Sequence, residues 1–278
     1  MIKRTISSIF IIAILSYLLV NSQGSLAFAV LLFANILVAF GLLDFMYITN
    51  RSGSRLLRTY GLITGVVLHT MLFFRYFFHQ PSSELIIQST ALILIGMFLI
   101  QLLRQDVRLS IHGICTTITG IVYIVWLFSY FIRILYLPEM DGRLILVALL
   151  LITKAGDIFA YIIGSNFGRH KLMPKISPNK TIEGAIGGIA GSVLASVLIF
   201  NFTPVPEAFA RYAIALGLVL GCFGQLGDLA ESMLKRNGQV KDSGEYIPGM
   251  GGVLDLLDSI LFSAPIMFYF VKYFAGTS

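Results

Sequence analysis

Long apolar runs separated by short polar stretches make up most of this chain. They cover roughly 5–20, 26–48, 57–78, 84–103, 109–134, 143–164, 182–201, 209–229 and 255–274. A helix needs about 20 mostly apolar residues to cross the hydrocarbon core of a bilayer. The pattern therefore predicts an all-α, polytopic integral membrane protein with about nine transmembrane helices. The first run also has a reading as a signal peptide, with Lys3 and Arg4 before it and Ala27-Phe28-Ala29 closing the small-residue stretch after it. Against that, the second run follows almost at once.

Composition agrees with the pattern. Of 278 residues, 57% are hydrophobic and only 12% charged, and the mean hydropathy is +0.87. A soluble domain carries roughly 25% charged residues, so a water-soluble globule is excluded. Disorder is excluded too, because it needs low hydrophobicity and high charge. Cys115 and Cys222 stand far apart in apolar runs, which leaves neither a disulfide framework nor a CxxC metal site. The net charge of +6 reads as a topology signal rather than as a sign of a nucleic-acid partner.

With the N-terminus inside, the inner segments hold fourteen lysines and arginines and the outer ones five: Arg75, Arg133, Arg143, Arg211 and Lys272. The positive-inside rule then places the N-terminus in the cytoplasm, and nine spans put the C-terminus outside. Residues 1–140, about five spans, carry few ionisable groups beyond loop cations. Asp44 and Asp106 lie near span ends, where water is within cheap reach. Residues 141–278, about four spans with cytoplasmic loops at 165–181 and 231–254, hold most of the acids. Charges at membrane depth are costly and mark function. The first part reads as scaffold and the second as the working part.

Three polar constellations stand out. Lys154 and Asp157 share a helix face with Tyr161 and Gly164 nearby. They form either an ion pair that makes the span tolerable or a place where Asp157 faces a hydrated cavity. The second, Ser177-Pro178-Asn179-Lys180-Thr181-Ile182-Glu183-Gly184, suggests a helix start with Ser177 as N-cap and Pro178 in the first turn. Such an end binds phosphate; the plainer alternative is a capped anchoring loop. Gly184, Gly187, Gly188 and Gly191 follow at the spacing of a small-residue packing face.

The third constellation is the densest. Asp228, Glu231, Ser232 and Lys235 fall on one helix face. Arg236, Lys241, Asp242 and a glycine-rich stretch lead on to Asp255 and Asp258 at the start of the last span. Carboxylates without competing nitrogen or sulfur ligands suit Mg²⁺, and the cations suit a polyphosphate. Both basic loops lie on the cytoplasmic side, where nucleoside triphosphates are found.

These residues resemble a known family. Ser232-Met233-Leu234-Lys235-Arg236, Lys241-Asp242-Ser243-Gly244, Ile247-Pro248, Gly251-Gly252-Val253-Leu254-Asp255 and Asp258 are similar to the signature of the phosphatidate cytidylyltransferases, or CDP-diacylglycerol synthases. The run from Ser177 to Gly184 resembles that family's SPxKTxEG element, and Asp157, Tyr161 and Gly164 resemble a weaker third one. Met250 and Leu256 stand where the family pattern has histidine and arginine.

The resemblance implies transfer of cytidylyl from CTP to phosphatidic acid, yielding CDP-diacylglycerol and pyrophosphate in a bacterial-type cytoplasmic membrane. It further implies a Mg²⁺ site, with Mn²⁺ as the alternative ion and two metals expected. Asp228 and Asp255 would be the principal ligands, and Asp258 and Asp157 weaker ones. Ser177, Asn179, Lys180, Thr181 and Glu183 would meet CTP or its metals, and Lys180 would also serve catalysis. Lys235, Arg236 and Lys241 would meet phosphates, with Asp242 orienting a cation. A homo-oligomer is compatible with all of this. The competing readings are a CTP-dependent lipid kinase and, less favoured, a cation-coupled transporter, whose polar groups would sit at mid-membrane.

Overall fold

The computed structural model describes residues 26–51, 58–79, 84–104, 110–138, 140–244 and 251–275. Among them, eight helices are long and apolar enough to cross a membrane. They agree with the second to ninth apolar runs, while the run at 5–20 lies outside the described residues. The helices are α1 (Ala27–Arg51), α2 (Arg58–Phe77), α3 (Glu84–Arg104), α4 (Ser110–Leu135), α5 (Gly142–Phe167), α6 (Ile182–Phe202), α8 (Ala213–Asn237) and α9 (Leu254–Phe270). A short helix α7 (Glu207–Arg211) precedes α8, and strands β1 (Lys171–Met173) and β2 (Ser177–Thr181) form an antiparallel hairpin. The chain forms two compact units.

The first unit takes the chain up to Tyr136 together with Leu234–Leu256. Its core is Leu42, Phe45, Leu68, Leu72, Phe73 and Ile124, all fully buried. A π-helical turn, Ile121–Trp126, interrupts α4, and a Cβ at Gly120 just before it would collide with the Phe45 ring. Some polar groups at membrane depth find partners inside the unit. His69 Nδ1 lies 2.7 Å from Asn35 Oδ1, and Asn35 in turn donates to Thr70 Oγ1 at 2.9 Å, tying α1 to α2. The guanidinium of Arg133 sits over the rings of Tyr130, Tyr76 and Trp126, at 4.3, 5.0 and 5.4 Å. Cation–π contact of this kind offsets part of the cost of a charge removed from water.

The second unit takes Leu137–Met233 and the chain from Leu257 onward. Asp141 caps α5 by accepting from the Arg143 N–H at 3.1 Å. The side-chain bond from Arg143 holds the Asp141 carboxyl below the usual carboxylate range. Between helices in lipid, burying apolar surface gains little over lipid contact, so close van der Waals packing by small residues does the work. The glycine face of α6 provides it, as its spacing suggests. A Cβ at Gly188 would press on Ala160 and the Gly156 carbonyl, and one at Gly191 would enter the Phe159 side chain. Ser192 donates across the same seam to the Ile152 carbonyl at 3.2 Å. Ser196 donates to the Ala213 carbonyl at 2.8 Å, linking α6 to α8.

Gly191→Leu is therefore expected to lower the thermal midpoint in detergent by several degrees, overpacking typically costing about 1–3 kcal/mol. Leu194→Ala, on an exposed face of the same helix, is expected to leave it nearly unchanged. Equal midpoints for the two variants would refute the packing role.

Candidate functional site

Asp228 and Glu231 lie three residues apart on α8, and Asp258 lies near the start of α9. One carboxylate oxygen from each falls within 4.8 Å of the other two. Gly227 allows this approach, since a Cβ there would collide with the Asp258 carbonyl. Glu231 has no solvent exposure. Three carboxylates this close repel one another strongly in a half-buried setting, so the arrangement calls for cations. Lys180, at the end of β2, supplies one with Nζ 2.6 Å from Asp228 Oδ2. The contact is electrostatic rather than an aligned hydrogen bond. Ser232 Oγ adds a long contact to Asp228 at 3.4 Å.

A second pair flanks the group. Lys154 Nζ lies 3.0 Å from Asp157 Oδ2. Ser259, next to Asp258 in sequence, touches both members of the pair through its hydroxyl, at 3.5 and 3.4 Å. Asp157 therefore stands in an ion pair. The all-oxygen donor set of Asp228, Glu231 and Asp258 is of the kind that hard divalent cations take. This acidic cluster could hold a metal ion.

The hairpin overturns one expectation. Ser177 and Pro178 do not begin a helix, because residues 177–181 form the returning strand β2. The chain turns at Met173–Ile176, with Pro174 at the second position, where its fixed φ suits a β-turn. Helix α6 starts at Ile182, and Thr181 is its N-cap, accepting from the Gly184 N–H at 3.1 Å. Glu183 reaches back to the turn after α5. Its carboxylate accepts the N–H groups of Arg169 and His170 at 3.1 and 3.2 Å and lies 2.6 Å from His170 Nδ1. Thr181 and Glu183 thus shape the hairpin, Lys180 points to Asp228, and Pro178 and Asn179 are exposed.

In the first unit, Asp255 gathers the loop that leads into α9. Its Oδ1 accepts from Lys235 Nζ at 2.7 Å. Its Oδ2 accepts from the Ser243 N–H at 2.9 Å, the Ser243 hydroxyl at 2.7 Å and the Gly252 N–H at 2.8 Å. Gly251, at φ 95°, adopts a backbone that side-chain-bearing residues avoid. Arg236, Lys241 and Asp242 are exposed, and Met250 lies outside the described residues. Asp44 is the second correction. It does not reach water but is fully buried, with Oδ2 accepting from the Leu254 N–H at 3.0 Å. Sequence reasoning also left Glu231 out of the metal set, although its three-residue spacing from Asp228 was visible.

Comparison with known proteins gives this arrangement a family. A model described as "Cytidylyltransferase family" matches residues 2–274. The chain belongs to that family. The family match thus takes in the acidic cluster, the hairpin and the loop held by Asp255 alike. Phosphatidate cytidylyltransferase of Staphylococcus aureus is 33% identical over 268 residues, 95% of this chain and 96% of that protein. Phosphatidate cytidylyltransferase of Bacillus subtilis is 41% identical over 154 residues, covering 55% of this chain and 56% of the relative. YnbB of Escherichia coli is 36% identical over 197 residues, 69% of this chain and 62% of that protein. The chain thus spans less than two thirds of the last two and nearly all of the first.

Because Thr181 supplies the cap, Thr181→Ala is expected to destabilise the protein by about 1 kcal/mol. Ser177→Ala should cost almost nothing. Thermal unfolding of the two variants in one detergent checks the assignment, and a reversed order would reject it.

Proposed function

We propose that this protein transfers the cytidylyl group of CTP to phosphatidic acid, forming CDP-diacylglycerol and releasing pyrophosphate. The observation that carries this reading is the match to a phosphatidate cytidylyltransferase over 96% of that relative's length. The site's chemistry supports it. The phosphate monoester of phosphatidic acid is already anionic near neutral pH, so its oxygen attacks the α-phosphorus without a strong general base. The new P–O bond forms as the bond to the β-phosphate's bridging oxygen breaks. Positioning and charge neutralisation carry such a transfer.

Each residue takes a part in this scheme. Lys180 exchanges Asp228 for a CTP phosphate, with Ser177 and Asn179 on the same strand beside it. Thr181 and Glu183 hold that strand in place. Lys235, Arg236 and Lys241 neutralise phosphate charge, Asp242 orients a neighbouring cation, and Asp255 fixes Lys235. A Mg²⁺ or Mn²⁺ ion held by Asp228, Glu231 and Asp258, with Asp157 beside them, would supply the remaining positive charge at the transferring phosphoryl group. The hairpin and the loop after α8 face the cytoplasm in this reading, on the side of the CTP pool.

Purified protein given phosphatidate, labelled CTP and Mg²⁺ is expected to yield CDP-diacylglycerol and pyrophosphate. Free CDP with a phosphorylated lipid would identify a kinase instead and overturn the proposal.

Metal titration separates the two aspartates that open α9. Asp228→Asn and Asp258→Asn are expected to cut turnover at least about a hundredfold, roughly 2.7 kcal/mol, and to shift Mg²⁺ half-saturation upward. Asp255→Asn should lower turnover with Mg²⁺ half-saturation unchanged. A Mg²⁺ shift in Asp255→Asn alone would move the ligand role back to Asp255.

Orientation is checked with single cysteines at the exposed positions Lys171 and Lys241, in a background lacking Cys115 and Cys222. An impermeant thiol reagent is expected to label both in inverted vesicles and neither in right-side-out ones. The opposite result would place the site on the outer face.

A further inference from the structure

Asp44 lies on α1, in the part of the chain that the sequence marks as scaffold, and it has no solvent exposure. A buried carboxylate at the end of an apolar helix is costly unless its charge is met by donors. Its donors come from about two hundred residues away in sequence. Oδ2 accepts the Leu254 N–H at 3.0 Å and makes a longer contact of 3.5 Å with the Ser243 hydroxyl.

Leu254 opens α9, which has no side-chain cap from the residues just before it, and Ser243 lies further back in the preceding loop. Gly252 carries no side chain and Val253 carries an apolar one. Asp255, in the first turn, nevertheless reaches back to accept the Gly252 N–H, much as the return bond of a capping box does. The other bond of such a box needs a side-chain oxygen that accepts a first-turn N–H, and Asp44 provides it from another helix. Glycine at 252 follows from this. A Cβ there would collide with the Asp44 carboxylate and the Ser243 hydroxyl, so the distant carboxylate fills the space a local capping side chain would need.

We infer that Asp44 is a positioning residue for the reaction. From α1 it caps α9 and clamps the helix start at which Asp255 holds Lys235, without touching substrate. The inference rests on the proposed cytidylyl transfer for its functional part only. The clamp itself is read without any assay of activity.

The test compares Asp44→Ala with Asp44→Asn, which keeps one carbonyl oxygen able to accept the Leu254 N–H. Two readouts are needed: steady-state kinetics with CTP and phosphatidate, and amide hydrogen exchange. In Asp44→Ala, turnover is expected to fall at least about tenfold while KM for CTP stays within about threefold, the pattern of lost alignment rather than lost binding. Exchange over residues 251–257 should quicken at least about tenfold, with α1 and α2 unchanged. Asp44→Asn should keep that protection and most of the turnover.

Normal turnover in Asp44→Ala would overturn the inference. So would loosening spread evenly through α1 and α2, which would mark an ordinary packing residue. Failure of the wild-type protein to make CDP-diacylglycerol would remove the reaction assigned above. The exchange data would then still decide whether Asp44 clamps the start of α9.

Discussion

The carboxylate of Asp255 is the interaction on which the first unit's polar end depends. Among the described residues at least four donor groups converge on it, three of them on a single oxygen. In a weakly polar setting, hydrogen bonds to a charged acceptor are stronger than neutral ones. Together they draw Ser243, Gly252 and the end of α8 onto the start of α9 in a tight bracket. That bracket dictates the residues around it: a positive φ at Gly251, no side chain at Gly252 and an ammonium at Lys235. Asp44 completes it from α1, so Ser243 and the start of α9 are held by two acids of which only one is local.

The second unit solves a different problem. Its helices must hold together in lipid, where apolar side chains gain little by leaving one greasy environment for another. Small residues let backbones meet, and serines donate across the seams. The same device ends at the polar group. Close approach of α8 and α9 at Gly227 brings Asp258 up to Asp228 and Glu231, and the hairpin delivers Lys180 to them. Packing and chemistry therefore share one cause in this unit.

What could be read from the sequence follows the range of the interactions involved. Eight spans were legible because a transmembrane helix is defined by a local run of apolar residues. The glycine face of α6 was legible for the same reason, since helical spacing is a property of a few turns. The start of α6 was not. Ser177 and Thr181 are both good caps, and the choice between them is made by strand pairing with residues 171–173. Asp44 was misplaced because nearness to a helix end says nothing about a loop arriving from residue 243 onward. Asp255 and Asp258 look equivalent on a helical wheel. Only the hydrogen bonds of Ser243 and Gly252 separate a loop-holding acid from a cluster-forming one.

The seam between α5 and α6 also bears on how this protein can change over generations. Any coding change at a glycine codon that alters the residue adds a Cβ. At Gly188 and Gly191 that atom lands on a neighbouring backbone or ring. Any substitution at these positions must displace a neighbour, even though nothing reactive happens at them. The lipid-facing leucines of the same helix, Leu194 and Leu198, half-exposed to the bilayer, can drift among apolar residues freely. Along α6 the slowest-changing positions should therefore be those with the least side chain.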